Sequence, residues 1–270
     1  MKAEQAKKLA DEALDNLTTA VAAGKSESLT AYLAAMGKFH DYSFGNVMLI
    51  VSQRPDASHV AGFNGWRKLN RFVKKGEKGI VIIAPMLIKP KEESSSESSD
   101  RSFLRFKAVY VFDVSQTDGE PLPEFARVGG NPNGHTDRLK SLVSTRGIVL
   151  EYSTELGSAL GCSKKGTILL KPGLSPAEEF SVLTHELAHE MLHTKDDRRE
   201  LSKVVKETEA EAVAFVVCQA IGLDSGTAAA DYIQLYNGDK ETLASSLDRI
   251  QKTSSEIIEA IMEHESSVAN

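Results

Sequence analysis

Cysteine is scarce: the 270 residues hold two, Cys162 and Cys218, too few for a disulfide framework or a four-thiolate zinc site. A reducing, cytoplasmic setting is the expectation. Aromatic residues make up 6%, with a single tryptophan, Trp66. The longest apolar run, Gly79–Ile88 (GIVIIAPMLI), is too short to cross a bilayer and carries a proline, so no membrane partner is expected. The amino end, MKAEQAKKLADEALDNL, is charged throughout and lacks the apolar core of a secretory signal. What remains is ordinary in bulk: 41% hydrophobic and 26% charged residues, enough for roughly two domains with real cores. The net charge of −6, taken whole, argues against a polyanionic partner.

Segment by segment, the charge is unevenly distributed. Residues 1–128 hold 18 Lys and Arg against 16 Asp and Glu, whereas residues 129–270 hold 14 against 22. Within the first half, residues 54–91 carry nine basic side chains opposed only by Asp56 and Glu77. Such a block suits a phosphate backbone, because neutralising phosphates releases condensed counterions. A solvated lysine-rich face is the plainer alternative. Arg54, Trp66, Arg67, Lys68, Arg71, Lys74, Lys75 and Lys78 are the candidate contacts, with Phe63 and Phe72 nearby. For each aromatic taken alone, a core position is the plainer reading.

Periodicity predicts helices over 2–23, 27–38 and 44–53, then strands over Ile80–Ile88 and Phe103–Val114. The serine- and acid-rich run at 89–102 reads as a hairpin loop, and residues 119–135 as a linker. The second half predicts a helix at Asp137–Ser144, strands at Ile148–Tyr152 and Thr167–Leu170, and four further helices. These run from Ser175 to about His193, Glu200–Ile221, Thr227–Tyr236 and Asp239–Glu263. The expected fold class is α+β with two domains. Residues 1–125 form a mixed domain, and residues 135–270 a mostly helical one with a small sheet.

The strongest motif lies in the helix capped by Ser175, Pro176 and Glu178. His185-Glu186-Leu187-Ala188-His189 is an HExxH sequence. Its i,i+4 spacing puts both imidazoles on one face, able to grip one zinc ion, with Glu186 beside them as a general base toward water. His193 continues the stripe, but eight residues at 1.5 Å rise set it about 12 Å from His185, too far to share the ion. It is expected to pack or to hydrogen bond. A third ligand is sought in ETEAEAVA, where Glu207 and Glu211 share a face and Glu209 points away into solvent. Glu207 on the metal with Glu211 fixing a histidine ring is the economical assignment. The reverse assignment, or a merely solvated acidic face, is the alternative.

HELAH followed by ETEAEAVAF resembles the gluzincin pattern, in which the first downstream acid is the third zinc ligand and the later acid orients a histidine. That resemblance implies Glu207 as ligand and Glu211 as orienter. It also likens Thr167–Leu170 to the edge strand on which such enzymes seat an extended peptide. Residues 42–85 resemble the N-terminal single-stranded-DNA-binding domain of ArdC-type antirestriction proteins of mobile elements. Residues 185–193, 207–217 and 236–250 resemble the metallopeptidase domain of the same family. The implied function joins single-stranded DNA binding to zinc-dependent hydrolysis of an unidentified protein. Two alternatives are a DNA-binding protein with a structural or vestigial metal site, and a repressor-cleaving protease of the ImmA/IrrE kind. His193 and Tyr232 are the candidate oxyanion partners.

Overall fold

A computed structural model describes residues 2–88, 103–120, 131–132, 134–193, 201–223 and 239–262. The 89–102 loop, most of the 119–135 linker and the 227–236 helix, with Tyr232, lie outside these residues. Mixed helix and sheet is observed, as the α+β expectation requires. The chain forms two compact units, neither continuous in sequence: residues 1–14 with 45–122, and residues 15–44 with 123–270. The expected division between 125 and 135 lies close to the later crossing. The earlier crossings have no counterpart in composition. Among the described residues no helix is long and apolar enough to cross a membrane.

The first unit is built on a three-stranded antiparallel sheet. Its order is β1 (Val60–Gly62), β4 (Phe103–Asp113), β3 (Ile80–Ile88). A two-stranded ribbon pairs β2 (Arg71–Val73) with β5 (Thr117–Gly119), and α4 (Phe63–Lys68) sits between β1 and β2. Strand β3 lies at the sheet margin, where unpaired backbone groups are a liability. Helix α3 (Phe44–Gln53) satisfies them with side chains. Asn46 donates to Ile83 O and accepts from Ile83 N, each at 2.9 Å. Gln53 does the same for Val81, at 2.9 and 3.0 Å. Two amides seven residues apart on a helix thus stand in for a neighbouring strand.

At the end of β4, Asp113 ties three segments together. Its carboxylate accepts from the backbone of Ser58 and His59 at 2.8 and 3.1 Å, and from Ser115 N and Oγ at 2.9 and 2.6 Å. Burial opposes the charge, but these hydrogen bonds outweigh it and hold the carboxyl below the usual range.

The second unit surrounds α7 (Lys203–Ala220), which is buried on nearly every side from Glu209 to Cys218. Helices α2 (Ser26–Lys38), α6 (Pro176–Leu192) and α8 (Lys240–Met262) pack on it, and α5 (His135–Thr145) lies against α6 and α8. Gly37 lets α2 approach closely, because a Cβ there would stand 2.7 Å from Val216 O. A small sheet of order β6 (Val149–Tyr152), β8 (Thr167–Leu170), β7 (Gly161–Ser163) covers α6. Strand β8 pairs parallel with β6 and antiparallel with β7. It is therefore the central strand, not the expected edge; β7, too short to read from periodicity, takes the margin.

Asp113→Ala should destabilise the protein by about 2–4 kcal/mol in urea unfolding, because four donors lose a charged acceptor at once. The deficit should narrow as pH falls through the depressed folded-state value, where wild type loses the same contribution.

Candidate metal centre

Helix α6 presents the motif. Ser175 caps it by accepting from Glu178 N at 3.3 Å, Glu178 returns a bond to Ser175 N at 2.9 Å, and Pro176 occupies the first turn. The His185 and His189 rings meet edge to face, with their Nε2 atoms 3.1 Å apart. Helix α7 brings Glu207 Oε2 to 3.6 Å from His185 Nε2 and 3.5 Å from His189 Nε2. A point equidistant from these three atoms lies about 2.0 Å from each, the bond length of nitrogen and oxygen ligands to zinc. The three residues are the group of His and carboxylate side chains, among those described, whose geometry fits an ion. The N₂O donor set suits zinc or a comparable divalent ion.

Glu211, one turn beyond Glu207, lies 3.2 Å from His185 Nδ1. The structure thus places Glu207 at the Nε2 atoms and Glu211 behind a ring, the arrangement that the economical assignment describes. Burial disfavours charge on His185, yet the Glu211 bond and the charges of Glu186, Glu211 and Glu207 outweigh it and raise its pKa. Burial and the neighbouring His185 charge push His189 down to about 4. Of the two rings, His185 is thus the more basic, with Glu211 at its Nδ1.

Glu186 is buried beside this pair. Burial raises its carboxyl above the ordinary range, the charges of Glu207 and Glu190 add to this, and His185 opposes it. It also accepts from the Ser163 backbone. Strand β7 approaches so closely that a Cβ on Gly161 would lie 2.8 Å from Glu186 Oε1 and 2.6 Å from Val182 Cγ1. Glu190 holds the β7–β8 turn on the helix, accepting from Gly166 N at 2.9 Å and from the Ser163 hydroxyl. Leu160, Gly161, Ser181, Val182, His185, Glu186 and Glu211 line one open recess.

Two residues depart from expectation. Glu209 is fully buried rather than solvated, because α8 covers the side of α7 that the spacing turns away from α6. It lies 3.0 Å from His193 Nε2 and accepts from Ser246 Oγ at 2.7 Å. His193, on the C-cap of α6, reaches His189 Nδ1 with its own Nδ1 at 3.0 Å. Its hydrogen-bonding role matches the reading of the motif. With both ring nitrogens so engaged, it does not serve as an oxyanion donor.

The basic segment is only partly available to a ligand. Trp66 is 2% exposed and donates to Phe112 O at 2.8 Å, so it is a core residue and not a stacking platform. Arg71 is spent inside the fold. Its guanidinium binds Thr117 Oγ1 at 2.8 Å, Thr117 O at 3.1 Å, and the carbonyls of Gly119 and Glu120. Lys74 bonds Ser115 O at 3.0 Å and pairs with Asp118, while Arg54 pairs with Asp56 and bonds Ser115. Arg67, Lys68, Lys75 and Lys78 are exposed and project outward without such ties among the described residues. Phe63 and Phe72 are 50% and 57% exposed.

Residues 3–112 match the family model of the N-terminal domain of the anti-restriction factor ArdC. The fold is similar to crystal structures of the antirestriction protein ArdC from plasmid R388, in metal-free and Mn(II)-bound forms. Each has a TM-score of 0.56 at 19% identity, covering 94% of this chain and 98% of that one. An uncharacterized Bacillus anthracis protein, pXO2-81, is 26% identical over 96% of this chain. The chain spans about half the length of that relative, 51%.

A metal ion and a proton compete for the lone pair of His185 Nε2. Titration with Zn(II) in buffers of differing ionisation enthalpy should report proton release on binding that grows as pH is lowered toward the raised His185 value. Affinity should fall as pH drops through the raised His185 value, since the proton and the ion compete for one lone pair.

Proposed function

We propose that this ArdC-type chain is an antirestriction protein that binds single-stranded DNA and hydrolyses peptide bonds at a single metal ion. The triangle formed by His185, His189 and Glu207, with Glu186 beside it, is the observation that carries the enzymatic half. Three protein ligands leave a coordination position open, as catalytic zinc sites do and closed structural sites do not. The Mn(II)-bound form of the R388 protein supports a metal in this fold without selecting zinc over manganese.

When bound, the ion supplies Lewis acidity, polarising a carbonyl and making water a nucleophile near neutral pH. The chain's own groups do the rest. Glu186, its basicity raised by burial, accepts the proton from attacking water and passes it to the leaving amine. Glu211 holds the His185 ring in place. The outer edge of β7, unpaired among the described strands, offers backbone groups to an extended peptide beside Glu186. Gly161 leaves the space in which that carboxylate sits.

For the DNA-binding half, the outward charges Arg67, Lys68, Lys75 and Lys78 are the phosphate contacts, and Phe63 and Phe72 the stacking faces. Arg71 and Trp66 shape the surface without touching the ligand.

Two measurements test the halves separately. Glu186→Gln should retain metal and single-strand binding but lose peptidase activity and protection in a restriction assay. Undiminished protection with metal retained would reject hydrolysis as the mechanism and leave a DNA-binding protein with a structural metal site. In the other half, Lys68→Ala, Lys75→Ala and Lys78→Ala combined should flatten the salt dependence of single-strand binding, by about 0.7 in the log–log slope per lost phosphate contact. An unchanged slope would remove these lysines from the interface.

A further inference from the structure

We infer that His193 and Glu209 are positioning residues for the second ligand imidazole, forming a buried hydrogen-bonded line that fixes the tautomer of His189. The inference rests on the ligand set proposed above. The line runs from Ser246 Oγ to Glu209 Oε1 at 2.7 Å, from Glu209 Oε2 to His193 Nε2 at 3.0 Å, and from His193 Nδ1 to His189 Nδ1 at 3.0 Å. It crosses three helices, α8, α7 and α6. Its inner members are out of solvent, the side chains of His193 and Glu209 being 5% and 0% exposed.

The direction of these bonds follows from one end. A carboxylate only accepts, so Glu209 draws the hydrogen of His193 to Nε2. In the neutral ring His193 Nδ1 is then a lone pair, and the atom facing it, His189 Nδ1, carries hydrogen. That leaves the lone pair of His189 on Nε2, pointing at Glu207 and the other imidazole. The Ser246 hydroxyl donates to the remaining carboxylate oxygen, so each link is polarised in the same sense. The opposite polarisation would need a hydrogen on Glu209 or a second one on His193, and would put one on His189 Nε2, where an ion must bind.

Burial makes the arrangement informative. Asp113, Glu186 and Glu209 are the buried carboxylates among the described residues, and only Glu209 has no exposed surface at all. The neighbouring positions of α7, Ala210 and Ala212–Cys218, are apolar. An acid among them costs desolvation that an aliphatic residue would not. His185 receives equivalent support from Glu211 directly and near the surface, whereas His189 receives it through two residues from the interior.

The test uses the full chain with Zn(II) and Mn(II) as probes, in competition with a chelator. His193→Phe and Glu209→Ala should weaken binding by about 10- to 100-fold. Glu209→Gln, whose amide oxygen still accepts from His193, should weaken it less. Circular dichroism and melting of the metal-free variants establish that they fold. Independently of any variant, long-range ¹H–¹⁵N spectra of metal-free wild type should show hydrogen on His189 Nδ1 and His193 Nε2. Hydrogen on His189 Nε2, or affinity within twofold of wild type in folded His193→Phe, would overturn the inference. Failure of wild type itself to bind either metal would instead overturn the ligand assignment beneath it.

Discussion

Two imidazoles one helical turn apart, with their Nε2 atoms turned toward each other, are the constraint around which the second unit is organised. Such a pair is uncomfortable alone: neutral rings can share only one hydrogen, and two charged rings repel. The surrounding acids resolve it. Glu211 stabilises hydrogen on His185, Glu207 faces both rings, and Glu209 acts on His189 through His193. All three acids come from one helix, at positions 207, 209 and 211. They reach opposite sides of the site because α7 is enclosed by α6 on one flank and α8 on the other. The apolar packing of α7 is therefore part of the electrostatics. It removes water from Glu209 and brings Glu207 within reach of the histidines.

Much of this was legible in the sequence, for physical reasons. A capped helix with HExxH has one periodicity and few alternatives, so α6 ends within a residue of expectation. The long β3–β4 hairpin is equally plain, because β-branched and aromatic runs of that length have nowhere else to go. The burial of Glu209 is not legible in this way, because spacing along one helix tells which residues share a face, not how many faces are covered. Its burial depends on α8, some forty residues later. Trp66, whose core alternative holds, and Arg71 depart from the candidate-contact reading for a related reason. Type and local charge suit a nucleic-acid contact, yet their hydrogen bonds go to Phe112 and to the 117–120 segment, contacts set by tertiary pairing. The three-residue strands β1, β2, β5 and β7 were missed because so short a segment has no period. Strand β7 mattered most, since it displaced β8 from the edge position that the family resemblance implied.

In the first unit, charge is divided between two tasks. Arg71, Lys74 and Arg54 stitch the β2–β5 ribbon and the adjoining loops through carbonyls, hydroxyls and acids. Arg67, Lys68, Lys75 and Lys78 remain directed outward. The net charge of −6 conceals this, since it sums a basic, outward-facing segment with a second half whose acids include those built around two histidines.

The metal centre is defined most directly by where an ion sits. Anomalous diffraction from crystals of the wild-type protein grown with Zn(II) or Mn(II) measures it without reference to activity. A single peak within bonding distance of His185 Nε2, His189 Nε2 and a Glu207 oxygen, with Glu211 on His185 Nδ1, is the predicted result. An ion bound by Glu211 in place of Glu207, or no peak between the two imidazoles, would contradict it.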